Sequence, residues 1–316
     1  MKVLSLFDGI SVAQQAIKEL GGGNVLAYYA SEIDKHAIEI TKINHPSTVR
    51  VGDVKTLKIY PDDELRGVDL LIGGSPCQDL SIANIKRQGL AGSRSGLFWE
   101  YVRILQEARP RYFVLENVAS MPKEARATIS EALGVEPIMI DATRVSAQIR
   151  KRLFWIGKLT GDNYEQVAIE QPTDRGIILK DILEHDGTSN YIGQKLKLII
   201  PEATKKGYAI ASDGQSVDLS FLNSKTRRGR VGDKVKNLMT SQNIRVFING
   251  SLRKLTPIEC ERLQSLPDNY TDGVSETQRK KALGNAFNCE VIKHILKSII
   301  WLFTADTTAR RYRKKR

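Results

Sequence analysis

The sequence predicts an α/β protein in which a doubly wound, mostly parallel sheet is joined by a second, smaller domain. Three observations support this prediction. Short apolar strands alternate with amphipathic helices from residue 1 to about 157, an order typical of a parallel sheet with helices on both faces. From 158 to 250 the alternation fades into turn formers, polar residues and isolated strands. After residue 250 helical patterning returns, and Thr256-Pro257-Ile258-Glu259 combines an N-cap, proline at the first helical position and the glutamate of a capping box.

The first half alternates regularly between strands and helices. Strands are predicted over 3–7, 25–30, 49–51, 68–72 and 112–115, and helices over 11–20, over 34–44 and from 97 onward. Ser11 and Gln14 have the spacing of a capping box at the first helix. Gly73-Gly74 predicts a sharp turn after the fourth strand, and Pro76 then restrains the backbone just before Cys77.

Four acids and one thiol follow the predicted strands. They are Asp8, Glu32, Asp53, Cys77 and Glu116. In parallel sheets ligands bind at the carboxyl ends of the strands. A single acid in such a position is often a helix cap or a turn former. The whole set predicts a binding site along this edge of the sheet.

Cys77 has two interpretations. A thiol on the loop after a strand is where an α/β enzyme would hold a nucleophile, whereas free cysteines are more often inert and interior. The connection over 79–96 is polar and rich in small residues, and connections of this length are usually functional lids or binding loops. Its basic residues, among them Lys86 and Arg87, suit a phosphate backbone.

Net charge indicates the partner. The 316-residue chain carries a formal charge of +12 and has a pI near 9.5, while its hydrophobic content of 41% is ordinary for a folded protein. Such an excess favours nucleic acid as the partner, with an anionic membrane surface a distant second. The densest basic run is 225–230, for which nucleic-acid contact is favoured over a merely solvated face.

Cysteine spacing and apolar runs indicate the compartment. The three cysteines are far apart and match neither a zinc pattern nor a disulfide framework. The apolar stretch at 3–7 is too short for a signal peptide, and 299–303 is too short for a membrane span. We therefore expect a cytoplasmic protein, associated with nucleic acid through its charge and without a metal. Because the first turn lacks a G-x-G-x-x-G pattern, a nicotinamide cofactor is disfavoured.

The chain resembles the DNA cytosine-5 methyltransferases in six short motifs that follow the family's order. The matching residues are Phe7-Asp8-Gly9, the acids Glu32 and Asp53, Ser75-Pro76-Cys77-Gln78, Glu116-Asn117-Val118, the segment from Gln148 to Arg152, and Gly284-Asn285-Ala286-Phe287. Two departures are visible: Ser75 stands where the family usually has Phe, and the first motif reads Asp-Gly-Ile-Ser. Both are similar to the animal de novo enzymes, as is Asp79-Leu80-Ser81. Those enzymes carry accessory chromatin-reading regions, and this sequence has none of them. We therefore expect a stand-alone bacterial or phage enzyme.

The resemblance implies a Rossmann-like, class I S-adenosyl-L-methionine-dependent methyltransferase fold. A catalytic domain is expected over 1–157 and a target-recognition domain over 158–250. Residues 251–309 are expected to return and complete the catalytic domain, and 310–316 to form a basic tail.

The resemblance also implies roles for four catalytic residues. Cys77 would add to carbon 6 of a flipped-out cytosine, so that carbon 5 becomes nucleophilic. Glu116, if protonated, would hydrogen-bond the base at N3 and the exocyclic amine. Arg150 and Arg152 would hold the base carbonyl oxygen, Glu116 or a phosphate. Without the resemblance, the two arginines would be interpreted as salt-bridge partners.

The implied methyl donor is S-adenosyl-L-methionine, with Glu32 for the ribose hydroxyls, Asp53 for the adenine amine and Phe7 as an apolar wall. The predicted cofactor-binding residues are Phe7, Asp8, Gly9, Ser11, Glu32, Ile33, Asp53, Val54, Ser75, Pro76, Leu97, Asn285 and Phe287. The predicted DNA-binding residues are Ser81, Lys86, Arg87, Gln88, Arg227, Arg228 and Arg230.

Two alternatives remain open at this point. The first is an RNA cytosine-5 methyltransferase of the tRNA-acting branch, and the second is a non-catalytic DNA-binding regulator with the same fold. The expected partner of the leading interpretation is double-stranded DNA, without a membrane. A monomer is expected, although the sequence leaves an oligomer open.

Overall fold

This computed structural model describes residues 1–21, 25–76, 96–184, 197–221, 223–226, 228–236, 238 and 243–300. The chain divides into two compact units. The first contains Met1–Ile140, Lys151–Pro172 and residues 291–300, and the second contains Asp141–Arg150 and Thr173–Glu290.

An eight-stranded sheet is the centre of the first unit. Its strands are β1 (Lys2–Leu6), β2 (Ala27–Ser31), β3 (Val49–Arg50), β4 (Leu70–Gly74), β5 (Tyr112–Val118), β6 (Pro137–Asp141), β8 (Lys151–Thr160) and β9 (Asn163–Gln166). They lie in the order β3-β2-β1-β4-β5-β8-β6, with β9 paired to β8. Strands β1 to β5 run parallel, and β8 is antiparallel to β5. The predicted doubly wound, mostly parallel sheet is confirmed. Its strand order reverses between β1 and β4, the kind of point where such sheets bind ligands.

Helices cover this sheet. They are α1 (Val12–Glu19), α2 (Lys35–Asn44), α3 (Leu97–Ala108) and α4 (Lys123–Leu133), and residues 291–300 of this unit are helical as well. Leu71 and Phe113 of the sheet share one buried cluster with Phe98 of α3 and Ile129 of α4. Val114, which points to the opposite face by the period of a strand, is 1% exposed. Both faces are therefore buried, and each large apolar side chain contributes about 1.5–3 kcal/mol.

Two strands run further than the sequence indicated. The predicted turn at Gly73-Gly74 is wrong, because β4 continues through Gly74. Gly73 is needed for room instead: a Cβ there would lie 2.8 Å from the carbonyl oxygen of Leu6 and 3.2 Å from the Tyr101 ring. Strand β5 likewise extends to Val118, so that Glu116 lies within the strand, near its C-terminal end.

The second unit consists of small sheets and short helices. Its strands are β7 (Gln148–Ile149), β10 (Lys197–Pro201), β11 (Tyr208–Ser212), β12 (Gln215–Asp218), β13 (Arg230–Gly232), β14 (Val235–Lys236), β15 (Ile244–Ile248) and β16 (Ser251–Lys254), and its helices are α5 (Pro257–Leu263) and α6 (Glu276–Asn285). Strands β10 and β11 form a separate two-stranded sheet, and β13-β12-β15-β16 form a four-stranded one. The expected capping box before α5 is present, since Thr256 Oγ1 accepts the Glu259 N–H at 3.1 Å and Glu259 Oε2 accepts the Thr256 N–H at 2.9 Å.

These units do not divide at the predicted domain boundaries. Strand β8 crosses residue 157 and continues the sheet of the first unit, and β9 extends it to Gln166. Helices α5 and α6, from the segment expected to complete the catalytic domain, group with the second unit. The functional assignment of the segments remains a prediction from the sequence.

Candidate active site

The turn after β1 carries the first predicted motif in an unusual backbone conformation. Phe7, Gly9 and Ser11 have φ values of 55°, 59° and 57°, in the left-handed region that ordinary side chains seldom occupy. Such residues cluster at binding sites, where surrounding contacts hold them. The predicted capping role of Ser11 is wrong: its side chain makes no cap hydrogen bond, and its hydroxyl donates to Asp8 and lies 3.0 Å from Thr41 Oγ1.

Asp8 is buried beneath this turn. Tyr28 donates its hydroxyl to Asp8 Oδ1 at 2.8 Å, and Ser11 donates to Oδ2. Burial raises the pKa of Asp8 to about 6, and the nearby Glu32 charge adds to the increase. The Asp8 side chain therefore faces the protein interior, where it holds the turn through Ser11, and does not face solvent.

Glu32 joins the turn after β1 to the end of β2. Its Oε2 accepts the Gly9 N–H at 2.8 Å, while Oε1 accepts the N–H groups of Ile33 at 2.7 Å and Asp34 at 2.8 Å. The carboxylate is held by backbone donors in one orientation. Ile33 beside it is 70% exposed, which is high for an isoleucine.

A third element, the turn from Asp53 to Leu57, is held by Arg103 of α3. One guanidinium nitrogen donates to the Val54 carbonyl at 2.8 Å, and the other donates to the Leu57 carbonyl at 2.8 Å. Glu100 and Glu107, on neighbouring turns of the helix, form ion pairs with the same group at 2.8 and 2.9 Å. Asp53 is half-buried and Val54 is buried.

The segment before the predicted nucleophile is anchored to the neighbouring strand. Asn117 Nδ2 lies 3.2 Å from Ser75 Oγ and 3.4 Å from the Ser75 carbonyl oxygen. Both residues are buried, and Pro76 follows half-buried. Cys77 itself lies outside the described residues. Leu97, at the start of α3, packs with Phe7 against the core of this unit.

Glu116 and Arg152 form an ion pair at the end of β5. Val118 lies opposite Arg152 in the antiparallel register, which makes Glu116 the diagonal neighbour of Arg152 on one face. Arg152 Nε lies 2.6 Å from Glu116 Oε1, and the two side chains are 13% and 12% exposed. A paired, half-desolvated carboxylate of this kind is suited to hydrogen-bond a planar ligand.

Arg150 has a different environment within the second unit. Its guanidinium donates to the carbonyls of Ala286 at 2.6 Å and Gly284 at 3.4 Å, and the residue is 4% exposed. These are carbonyls at the C-terminal end of α6, which cations stabilise. The geometry makes Arg150 a positioning residue for the segment that bears Asn285, which is exposed, and Phe287, which is half-buried. Contact of Arg150 with a base stays a prediction.

Gln148, two residues before Arg150, joins a buried amide network that the sequence did not indicate. Its Nε2 donates to the Leu263 carbonyl at 3.1 Å, and its Oε1 accepts the Leu238 N–H at 3.2 Å. Gln264, also fully buried, donates to the Leu283 carbonyl at 2.6 Å. The fifth and sixth predicted motifs are thereby linked inside one unit.

The predicted DNA-binding residues are described only in part. Ser81, Lys86, Arg87, Gln88 and Arg227 lie outside the described residues. Arg230, on β13, is exposed. Arg228 is half-buried, and its Nε donates to the Glu202 carbonyl at 3.3 Å.

The remaining thiols are poor nucleophiles. Cys260 and Cys289 are 4% and 0% exposed. Burial raises the pKa of Cys260 to about 12, so it carries almost no thiolate at neutral pH.

Several positioning residues were not predicted from the sequence, although three of them have a recognisable spacing. Glu100, Arg103 and Glu107 have the i, i+3 and i, i+4 spacing of ion pairs on a helix. Tyr28 and Thr41 gave none, because their partners are distant in the chain. Within the described part of the chain, no group of histidine, cysteine and acidic residues could hold a metal ion. No helix among the described residues could cross a bilayer.

Comparison with known proteins identifies the family. The protein-family model described as C-5 cytosine-specific DNA methylase matches residues 1–301 of this chain. The type II methyltransferase M1.ScrFI of Lactococcus lactis subsp. cremoris is 28% identical over 320 residues, covering 95% of this chain and 78% of that protein. M.HpaII of Haemophilus parainfluenzae is 27% identical over 327 residues, covering 94% and 88%.

A solved structure agrees in fold. The crystal structure of a mutant of Spodoptera frugiperda DNMT2 superposes with a TM-score of 0.62 at 21% identity, over 95% of this chain and 99% of that one. The chain therefore belongs to the C-5 cytosine-specific DNA methylase family and is a DNA (cytosine-5-)-methyltransferase.

Proposed function

We propose that this enzyme transfers a methyl group from S-adenosyl-L-methionine to carbon 5 of cytosine in double-stranded DNA, through a covalent adduct between Cys77 and carbon 6 of a flipped-out base. The observation that carries the proposal is the ion pair between Glu116 of β5 and Arg152 of β8. The anchored Ser75-Pro76 segment, which precedes Cys77 in the chain, follows β4, the parallel neighbour of β5.

The proposed nucleophile is Cys77. Carbon 5 of cytosine is too electron-poor to take a methyl group unaided. Addition of the Cys77 thiolate to carbon 6 moves electron density to carbon 5. After transfer, the carbon 5 proton passes to solvent water, and the electrons of its C–H bond re-form the C5–C6 double bond as the thiolate leaves carbon 6. Cysteine suits both steps because a thiolate attacks well and also leaves well.

Glu116 positions the base. Its carboxyl group would hydrogen-bond N3 and the exocyclic amine of cytosine, and Arg152 fixes the carboxyl orientation through Oε1. A positioned acid or base of this kind typically accelerates proton transfer by about 100- to 10,000-fold. Arg152 therefore acts chiefly through Glu116.

The residues at the ends of β1, β2 and β3 fit a nucleoside that lacks phosphates. Carboxylates at Glu32 and Asp53 are acceptors for hydroxyl and amine groups, and the exposed Ile33 offers an apolar surface to a purine ring. When bound, S-adenosyl-L-methionine supplies an electrophilic methyl group. Asp8 and Arg103 hold the two turns on which the binding residues lie. Asn285 and Phe287 stay cofactor-binding predictions from the family resemblance.

DNA is the proposed substrate because the family description names it and because the chain has a formal charge of +12. The target cytosine has to leave the helical stack to reach a thiol, which costs a few kcal/mol. The loop residues Ser81, Lys86, Arg87 and Gln88 stay predictions for this step. Arg230 of the second unit is an exposed candidate for DNA contact.

The test is methyl transfer from labelled S-adenosyl-L-methionine to double-stranded DNA and, in parallel, to tRNA, with the product nucleosides identified by mass spectrometry. We expect 5-methylcytosine in DNA. Transfer to tRNA alone would favour the RNA-acting alternative. Binding of DNA without transfer to either substrate would favour the non-catalytic regulator, and both results contradict the proposal.

A further inference from the structure

The two-stranded ribbon of β10 and β11 in the second unit has an unusual outer face. Its inner face is ordinary: Ile200 and Ala211 are buried and pack with Val217 and Phe247. On the outer face Ile199 is 66% exposed.

Further apolar residues surround Ile199. In the antiparallel register Ile199 lies opposite Ile210, and Pro201 lies opposite Tyr208. Ile210 and Tyr208 are 40% and 38% exposed. An antiparallel sheet with one solvated face normally has polar side chains on it. A contiguous apolar face in this position therefore indicates a binding surface.

Two lysines accompany the apolar face. The Lys206 ammonium lies 4.5 Å from the centre of the Tyr208 ring, a cation–π contact. Lys197 is exposed on the same outer face, two residues before Ile199. Basic residues at an apolar surface favour an anionic partner over an uncharged one.

The basic segment around Arg228 is fixed to the same ribbon. Arg228 Nε donates to the Glu202 carbonyl, just after β10. Gly229 has a φ of 53°, and a Cβ there would lie 1.8 Å from the Pro201 carbonyl oxygen, so only glycine allows this approach. The segment that carries Arg230 is thus packed directly against the ribbon.

We propose that the β10–β11 ribbon enters the major groove of the DNA substrate and that Ile199 and Ile210 pack against thymine methyl groups. The inference rests on the proposed function, because it takes duplex DNA as the substrate. The major groove admits a two-stranded ribbon, and the thymine 5-methyl group is its one apolar feature. The lysines then lie beside the phosphates that border the groove. The enzyme reads an A·T pair within its recognition site or directly beside it.

The experiment removes single methyl groups from the DNA. The methylated site is first identified by sequencing DNA from a methylation-free host that expresses the full chain. Duplexes with that site are then prepared in which each thymine, within the site and in the two pairs on either side, is replaced in turn by deoxyuridine. We expect one replacement to weaken binding by the wild-type enzyme about fivefold, which corresponds to the loss of roughly one buried methyl contact.

Variants assign that loss to the ribbon. In Ile199→Ser or Ile210→Ser, the same thymine-to-deoxyuridine replacement should have no effect. Ile43→Ser, which changes an exposed isoleucine of α2, should retain the full fivefold sensitivity. Circular dichroism confirms that each variant is folded.

Three outcomes overturn the inference: a wild-type enzyme insensitive to every replacement, a sensitivity that survives in both ribbon variants, or a change in sedimentation of the ribbon variants that identifies the face as a contact between copies of the chain. If the host DNA carries no methylated site, the bound site is selected instead from a pool of random-sequence duplexes. Binding that discriminates thymine in the selected site would then sustain the ribbon inference while the proposed activity fails.

Discussion

The strand ends of the first unit and the ribbon of the second differ in how far the protein itself satisfies their side chains. At the strand ends, polar groups are held by protein: Glu32 accepts three backbone N–H groups, and Asp8 is buried between two hydroxyl donors. On the ribbon, apolar groups such as Ile199 are left exposed. Chemistry requires groups fixed before the substrate arrives, whereas a recognition surface is completed by its partner. Substitutions in the two regions should therefore fail in different ways.

The largest effect is expected at Glu116. Glu116→Gln removes the charge paired with Arg152 and the group proposed to exchange a proton with the base, so turnover should fall roughly 100- to 1,000-fold. Steady-state kinetics with saturating DNA measure this. Affinity for DNA should change little, which separates this region from the ribbon. Glu131→Gln, at an exposed position of α4, is the matched control. Undiminished turnover would remove Glu116 from the mechanism.

Asp8→Asn should reveal the cost of burying an acid. Because the folded-state pKa is raised from 3.8 to about 6, the folded protein binds the proton more tightly than the unfolded chain. Stability of the wild type is therefore lost as pH rises from about 4 to 6. Asparagine does not ionise, so the variant does not lose this stability as pH rises. The unfolding free energy of the variant relative to wild type should rise by about 2–3 kcal/mol between pH 4 and pH 8. A difference independent of pH contradicts burial as the cause.

Arg103→Lys sharpens the distinction between positioning and contact within the first unit. Lysine keeps the charge but cannot reach the carbonyls of Val54 and Leu57 together with both glutamates. We expect about tenfold weaker binding of S-adenosyl-L-methionine by calorimetry, the effect of losing one charged hydrogen bond. Arg126→Lys on α4 should bind normally. Unchanged cofactor affinity would show that the Asp53 turn holds its position without Arg103.

The smallest effect is expected for Arg230 of the second unit, on the salt dependence of DNA binding. Arg230 is exposed, whereas Arg228 is half-buried with Nε bonded to a carbonyl. Arg230→Ala should make the salt dependence of DNA binding shallower by about one unit of slope, as expected for one phosphate contact. Arg228→Ala should mainly lower thermal stability. Equal changes of slope in the two variants would contradict the division of roles.

The sequence predicted the elements whose signals are local. The capping box of Thr256 and Glu259 is present because both partners lie within one turn. Ser11 has equally good spacing, yet its hydroxyl is used by Asp8 and Thr41, and Thr41 lies thirty residues further along the chain. Tertiary contacts of that kind decide between two local options, and no local pattern encodes them.

The candidate site shows the same limit. Its acids could be predicted because parallel strands bring their carboxyl ends to one edge. What orients the acids could not be predicted, because the carbonyls that Arg103 holds are 46 and 49 residues away. Likewise, Arg150 and Arg152 look equivalent in the sequence, but one holds the end of α6 and the other holds Glu116.

The most direct test of the central claim is covalent trapping on a DNA duplex that contains 5-fluorocytosine at the methylated position, with S-adenosyl-L-methionine present. Fluorine cannot leave as a proton does, so the thiolate stays bonded to carbon 6. We predict a denaturation-resistant complex with the wild type and with Cys260→Ala, and none with Cys77→Ser. A complex that survives in Cys77→Ser would contradict the assignment of the nucleophile and, with it, the proposed mechanism.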